Sequence, residues 1–203
     1  MKLFGHPESG HAFKVKFFLD HAGIEHVYEV VDIDRPRGQR QPEFRDNARY
    51  GEVPLLRDGD RFVAQSNAIL LHLVAASERH GAETPERLDR CREWLFWEAN
   101  RVGMSLPQIR SFHRYPGHGI EPDTLAWLQA RYAQDVAVLE LELSDGRPWV
   151  VGGDEPTIAD FSLCGYLMRA EEAKVQMPAQ VRGWLARLQA LPAWREPALM
   201  LSA

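Results

Sequence analysis

The hydrophobic periodicity of this chain changes once. Up to about residue 77, short β-branched and aromatic runs alternate with helical patterns; beyond it, strand signals nearly vanish and apolar residues recur at helical spacing. Two periodicities in sequence order require two kinds of core, one built on a sheet and one of helix on helix. A length of 203 residues has room for both, at a prior of about 150 residues per domain. The change falls in the polar stretch from Arg79 to Pro85, which holds Gly81. The expected organisation is therefore an N-terminal unit over 1–78, a linker over 79–86 and an all-helical unit over 87–203.

In the first part, "MKLFG" reads as a short strand, "HAFKVKFFLDHAG" as a helix stopped by Gly23, and "HVYEVVDI" (His26 to Ile33) as a second strand. Strand, helix, strand implies a parallel pair with a crossover. "QPEFRDN" reads as a short helix or turn, and "PLLR" and "RFVA" flank Asp58-Gly59-Asp60, a hairpin signal. From Ser66 the pattern is helical again, with Gln65 or Ser66 at the cap position. The order is β-α-β, a short helix, then β-β-α. Four long stretches in the second part carry helical spacing, from Arg87 to Phe112, Asp123 to Leu143, Thr157 to Val175 and Ala179 to Leu191.

Composition narrows the function. Hydrophobic residues make up 45% and charged ones 26%, with a formal net charge of -5. That balance supplies no broad basic field for nucleic acid. The longest apolar stretch, Ala68 to Ala76, is interrupted by His72 and falls short of the ~20 residues that cross a bilayer. No membrane is expected as a partner. "MKLFGHPESG" meets Gly5 and Pro7 before an apolar secretory core could form, so the chain reads as cytoplasmic. Cys91 and Cys164 stand alone, and His80, His113 and His118 are read as unrelated, so no metal is expected.

Two places carry chemistry. Val53-Pro54 opens the third strand. A proline there lacks an N–H, and the turn can present the Val53 backbone to a ligand strand, although an ordinary edge-strand proline satisfies the same residues. Eleven residues on, Ser66 stands at a helix N-terminus, which suits an anion or serves as a plain cap.

Taken together, the element order, Val53-Pro54, the hairpin and "QSNAI" (Gln65 to Ile69) resemble the glutathione S-transferase superfamily, with its thioredoxin-like glutathione-binding domain followed by an all-helical one. The likeness spans nearly the whole chain. In "GGDEPTIADFSL", Thr157 with Asp160 resembles the family's helix-capping motif, a folding element.

The resemblance implies a backbone clamp at Val53 and Pro54 for the cysteinyl part of glutathione, with Gln65 and Ser66 holding its γ-glutamyl end. Arg40 and Gln39 match positions that reach the glycine carboxylate. The loop after the first strand carries Pro7-Glu8-Ser9-Gly10 instead of C-x-x-C, which excludes a dithiol redox cycle there. "SGHAFKVK" resembles the Ser-x-x-x-x-Lys/Arg-Val-Lys/Arg run of serine-type members, so Ser9 is expected to stabilise the thiolate. His11, in the same first turn, is either a ligand contact or a solvated surface group. Met104, Gln108, Phe112 and Tyr115 recur at helical spacing and are the candidate wall for a small hydrophobic electrophile.

The implied protein is a homodimeric glutathione transferase with glutathione as co-substrate. A glutathione-dependent isomerase or dehalogenase would use the same activated sulfur. Ala48 and Arg49 stand where the family's Asn-Pro-x-Gly-x-Val-Pro has Asn and Pro, and Glu52 is acidic where Gln or Lys is frequent; the departures at Ala48 and Glu52 point to the remaining alternative, a binding module without catalysis.

Overall fold

A computed structural model describes residues 1–75, 77–115, 117 and 119–202. In the first part, strand β1 (Lys2–Gly5) leads into helix α1 (Gly10–His21), strand β2 (Val27–Val30), a 3₁₀ turn (Arg37–Gln39) and helix α2 (Pro42–Asn47). The hairpin β3 (Leu55–Asp58) and β4 (Arg61–Ala64) then runs into helix α3 (Ser66–Val74). The sheet order is β2-β1-β3-β4, with β1 and β2 parallel and the other two pairings antiparallel. This is a thioredoxin-like arrangement.

Alternation along β1 sends neighbouring side chains to opposite faces. Leu3 enters the main core with Leu56, while Phe4 joins Val31, Phe44, Ala48 and Leu55 in a smaller cluster under α2. Helix α1 is buried nearly all round, from Gly10 to Leu19, because it lies between the sheet and the helical half.

The helical half comprises α4 (Pro85–Asn100), α5 (Val102–Arg114), α6 (Pro122–Glu142), α7 (Ile158–Leu167), α8 (Ala179–Gln189) and a one-turn α9 (Pro197–Met200). Its centre is α7, whose Asp160 carboxylate accepts from the Thr157 N–H at 2.8 Å, the Val150 N–H at 2.9 Å and the Trp184 indole at 2.9 Å. The capping box expected at Thr157 and Asp160 is thus also a tie between three segments.

Two helix crossings depend on glycine. At the α1–α7 crossing, a Cβ on Gly10 would stand 2.9 Å from the Gly165 carbonyl oxygen, and one on Gly165 would stand 2.7 Å from that of Gly10. The second is at the α4–α5 corner. The sequence reads Arg87 to Phe112 as one helical stretch, but the helix breaks at Arg101 (φ -117°, ψ -101°), and Gly103 abuts the Glu98 side chain. The C-terminal segment, not anticipated beyond Leu191, lays Trp194 edge-on against Phe13 and Phe17.

Candidate active site

A cavity of about 1030 Å³ lies between the two halves, large enough for a tripeptide and a second molecule. Ser9, His11, Arg40, Val53, Pro54, Gln65, Ser66 and Tyr115 all line it. The first turn of α1 presents Ser9 as N-cap in extended geometry (φ -87°, ψ 110°), and its Oγ accepts the Ala12 N–H at 3.0 Å. The Val53-Pro54 peptide is cis, and Val53 precedes the paired register of β3, which begins at Leu55.

The N-cap of α3 is Gln65, not Ser66. Gln65 takes φ 71°, a left-handed conformation costly for a non-glycine residue, and makes no side-chain cap. The first amides of α3 are therefore left without a side-chain acceptor at the cavity wall. Among the described residues the Ser66 hydroxyl also has no hydrogen-bond partner. Glu52, acidic where the resemblance favours Gln or Lys, accepts from Gln65 Nε2 at 3.1 Å.

His11 is half-buried rather than solvated. Its ring stands edge-on to Tyr166 with centroids 5.0 Å apart, and its Nδ1 is buried without a partner among the described residues. Burial, reinforced by the nearby charge of Lys14, lowers its pKa to about 4, so the imidazole is neutral at physiological pH.

Arg40 reaches the cavity, but most of its guanidinium serves the backbone: it donates to the carbonyls of Arg35 at 3.0 Å, Gly51 at 2.6 Å and Ile33 at 2.7 Å. Those bonds pin the loop ahead of Val53 and leave part of the five-donor fork for a ligand. Gln39 ends the 3₁₀ turn, exposed and off the cavity lining.

On α5 the cavity face is Gly103, Pro107, Arg110 and Ser111, leading to Tyr115. The sequence placed that face one residue along, at Met104, Gln108 and Phe112. Met104 instead packs against the core, Gln108 is exposed with its Nε2 on the Met104 carbonyl at 2.8 Å, and Phe112 stands edge-on to His113. The break at Arg101 resets the helix before α5 begins, and spacing alone cannot say which stripe meets the cavity.

A charged brace stands beside Ser9, and of its members only Tyr115 was singled out from the sequence. Arg110, nearly buried, donates to the Glu8 carboxylate and to the Glu8 carbonyl at 3.2 Å, and its Nε reaches Glu172 at 2.9 Å. Tyr115 donates to Glu8 at 2.8 Å, and Arg169 donates to the Pro7 carbonyl at 2.5 Å. Burial pushes the Glu8 carboxyl up, but the bonds from Arg110 and Tyr115 outweigh it and hold it below the usual range. No local pattern announces this brace, because its members lie far apart in the chain.

Among the described residues no three His, Cys, Asp or Glu side chains come together as a metal site. His118, one of the three histidines read as unrelated, lies outside the described residues. No described helix is long and apolar enough to cross a bilayer.

A four-stranded thioredoxin-like sheet joined to a helical half, with a cavity between them, defines a class of small-molecule-binding fold. Residues 1–75 match the family model for the glutathione S-transferase N-terminal domain. A disulfide-bond oxidoreductase, YfcG of Escherichia coli, is 28% identical over 91% of this chain and 87% of its own. A zeta-class glutathione S-transferase of Euphorbia esula is 28% identical over 80% and 72%. The crystal structure of a glutathione S-transferase from Pseudomonas fluorescens superposes with a TM-score of 0.86 at 27% identity, covering 99% of this chain and 98% of that one. The first 75 residues thus match the glutathione S-transferase N-terminal domain, and the chain as a whole is similar in sequence and fold to glutathione S-transferases.

Proposed function

We propose that the protein is a glutathione transferase of the serine type. One observation carries the reading: the Ser9 hydroxyl, the Val53 backbone and the uncapped N-terminus of α3 with Ser66 line the same cavity. Glutathione would lie with its γ-glutamyl carboxylate on Ser66 and the α3 amides, its cysteinyl backbone along Val53, and its glycine end toward Arg40. A thiol has an ordinary pKa near 8.5. Hydrogen bonding from Ser9 at the N-terminus of α1 would favour the thiolate, with the proton released to solvent. The neutral His11 ring is a second candidate contact for the sulfur end.

Attack on an electrophile held against α5 then needs only proximity and an activated nucleophile. Arg110, Ser111 and Tyr115 make that wall polar, which favours an electrophile with hydrogen-bonding groups over a purely apolar one. In this reading residues 1–78 supply the glutathione side and 87–203 the electrophile side. The same reading takes the protein as a homodimer, with exposed Tyr50 and Phe96 as side chains that a second copy would cover.

Calorimetry with glutathione and turnover of a general aryl halide test the proposal. Binding with conjugation is expected. No heat at millimolar glutathione would overturn it, and binding without turnover of aryl halides or polar electrophiles would favour the non-catalytic alternative.

A further inference from the structure

Between β1 and α1 the loop over residues 6–9 delivers Ser9, and the peptide unit that joins Glu8 to Ser9 is held at both ends. Its N–H donates to the His6 carbonyl at 2.9 Å, and its C=O accepts from Arg110 Nη1 at 3.2 Å. The peptide before it is held likewise: the Glu8 N–H donates to His6 Nδ1 at 3.2 Å, and the Pro7 carbonyl accepts from Arg169 Nη2 at 2.5 Å. Both N–H bonds stay within the loop. Both carbonyl bonds come from the helical half, from Arg110 on α5 and Arg169 in the turn after α7.

The two arginines are buried, and Glu172 ties them together. Its Oε2 accepts Arg110 Nε at 2.9 Å and its Oε1 accepts Arg169 Nη1 at 3.3 Å. Arg110 also donates to the Glu8 carboxylate, so it grips Glu8 by main chain and side chain at once. A planar guanidinium with its donors in a rigid fork can hold a carbonyl and two carboxylates together, whereas the point charge of an ammonium cannot keep that arrangement. Because the peptide is planar, the orientation of the Glu8–Ser9 unit sets φ at Ser9, here -87°, and with it the direction in which Oγ leaves the backbone.

We propose that Arg110 is a positioning residue for the thiol chemistry: by clamping the Glu8–Ser9 peptide from the helical half, it aims the Ser9 hydroxyl at the glutathione sulfur. The assignment rests on the serine-type reading above. It makes activation of the thiol in the first half of the chain depend on a side chain of the second.

The test reads the ultraviolet absorbance of the thiolate of bound glutathione at neutral pH. No electrophile is present, so a direct contact between Arg110 and the second substrate cannot enter the signal. Arg110→Met and Arg110→Lys are compared with wild type, each with Ser9 intact and with Ser9→Ala. The lysine variant keeps a cation between Glu8 and Glu172, and so reports on positioning where the methionine variant fails to fold. Both are expected to lower the thiolate signal of the saturated protein, and kcat, by at least about fivefold, since a small misplacement of a catalytic group costs that much or more. Glutathione affinity should stay within about threefold of wild type. In the Ser9→Ala background neither replacement should lower signal or kcat by more than about twofold further, because the hydroxyl that Arg110 aims is gone. A full thiolate signal in Arg110→Lys, or an equal loss with and without Ser9, would overturn the assignment and leave the serine-type reading standing. A wild type that binds glutathione without a thiolate signal, or does not bind it, would overturn that reading and the assignment with it.

Discussion

Ser9 Oγ accepts the Ala12 amide hydrogen at 3.0 Å, so one hydroxyl closes the first turn of α1 with its oxygen and keeps its own proton to donate into the cavity. The cap and the proposed thiolate donor are therefore compatible in one side chain. Ser9→Ala is expected to lower stability by about 1 kcal/mol through the lost cap. It should also slow conjugation by at least about tenfold, with glutathione affinity nearly intact. Ser9→Thr should keep most of both. Unchanged kcat in the alanine variant at saturating glutathione would remove Ser9 from the mechanism.

The contact of Gly10 with Gly165 makes a packing prediction. Gly10→Ala drives a methyl to 2.8 Å from the Tyr166 ring and 2.9 Å from the Gly165 carbonyl. Helix α1 is wedged against the sheet and cannot retreat, so a cost of about 1–3 kcal/mol is expected in chemical denaturation. Gly165→Ala should cost a similar amount. The double variant should cost less than the sum, because both methyls push apart the same crossing. Strict additivity would count against a shared contact.

Asp160 gathers N–H groups from Thr157, Val150 and Trp184 in a fully buried site. Replacing it with alanine strands those donors, and a loss of at least about 3 kcal/mol is expected from unpaired buried groups and the lost cap. Glutathione affinity per folded molecule should stay the same, since Asp160 is not part of the cavity lining. A thermal midpoint within about 2 °C of wild type would contradict this account.

Three histidines predict acid sensitivity. Burial lowers the pKa values of His11, His21 and His80 from 6.5, that of His11 to about 4, and the His21 and His80 rings stand 5.4 Å apart. Below pH 6.5 the unfolded chain binds protons that the folded chain refuses. Their contribution is whole above that pH and is lost as pH falls, for His11 down to about 4. Each can contribute a slope of up to about 1.4 kcal/mol per pH unit in that window. Urea midpoints measured from pH 7.5 to 4.5, with His11→Asn as comparison, should show a steep decline that the variant makes shallower. Identical slopes for the two proteins would reject the role given to His11.

The parts legible from the sequence are those governed by nearby residues. The hairpin follows from Asp58-Gly59, the α7 cap from Thr157 and Asp160, and the cap at α1 from Ser9, because turns and helix ends are chosen within a few residues. Val53-Pro54 and the helix start at Ser66 could also be placed along one wall of a cavity, since their order in a β-β-α unit leaves little choice of geometry. The face of α5 could not. Helical spacing defines stripes on a cylinder, but the rotation of that cylinder is set by packing against α6 and α7 and by the break at Arg101.

Burial of His11 and the three carbonyl bonds of Arg40 were equally hidden, because each depends on distant backbone closing around a side chain. The sequence by itself determined the order of elements, the two kinds of core and the hydroxyl offered at the first helix. Only the tertiary structure decided which charges meet across the two halves: Lys14 with Glu98, 84 positions apart, and Glu8 with Arg110, 102 apart. Buried charges must find partners wherever the fold supplies them, and no local pattern records where that will be.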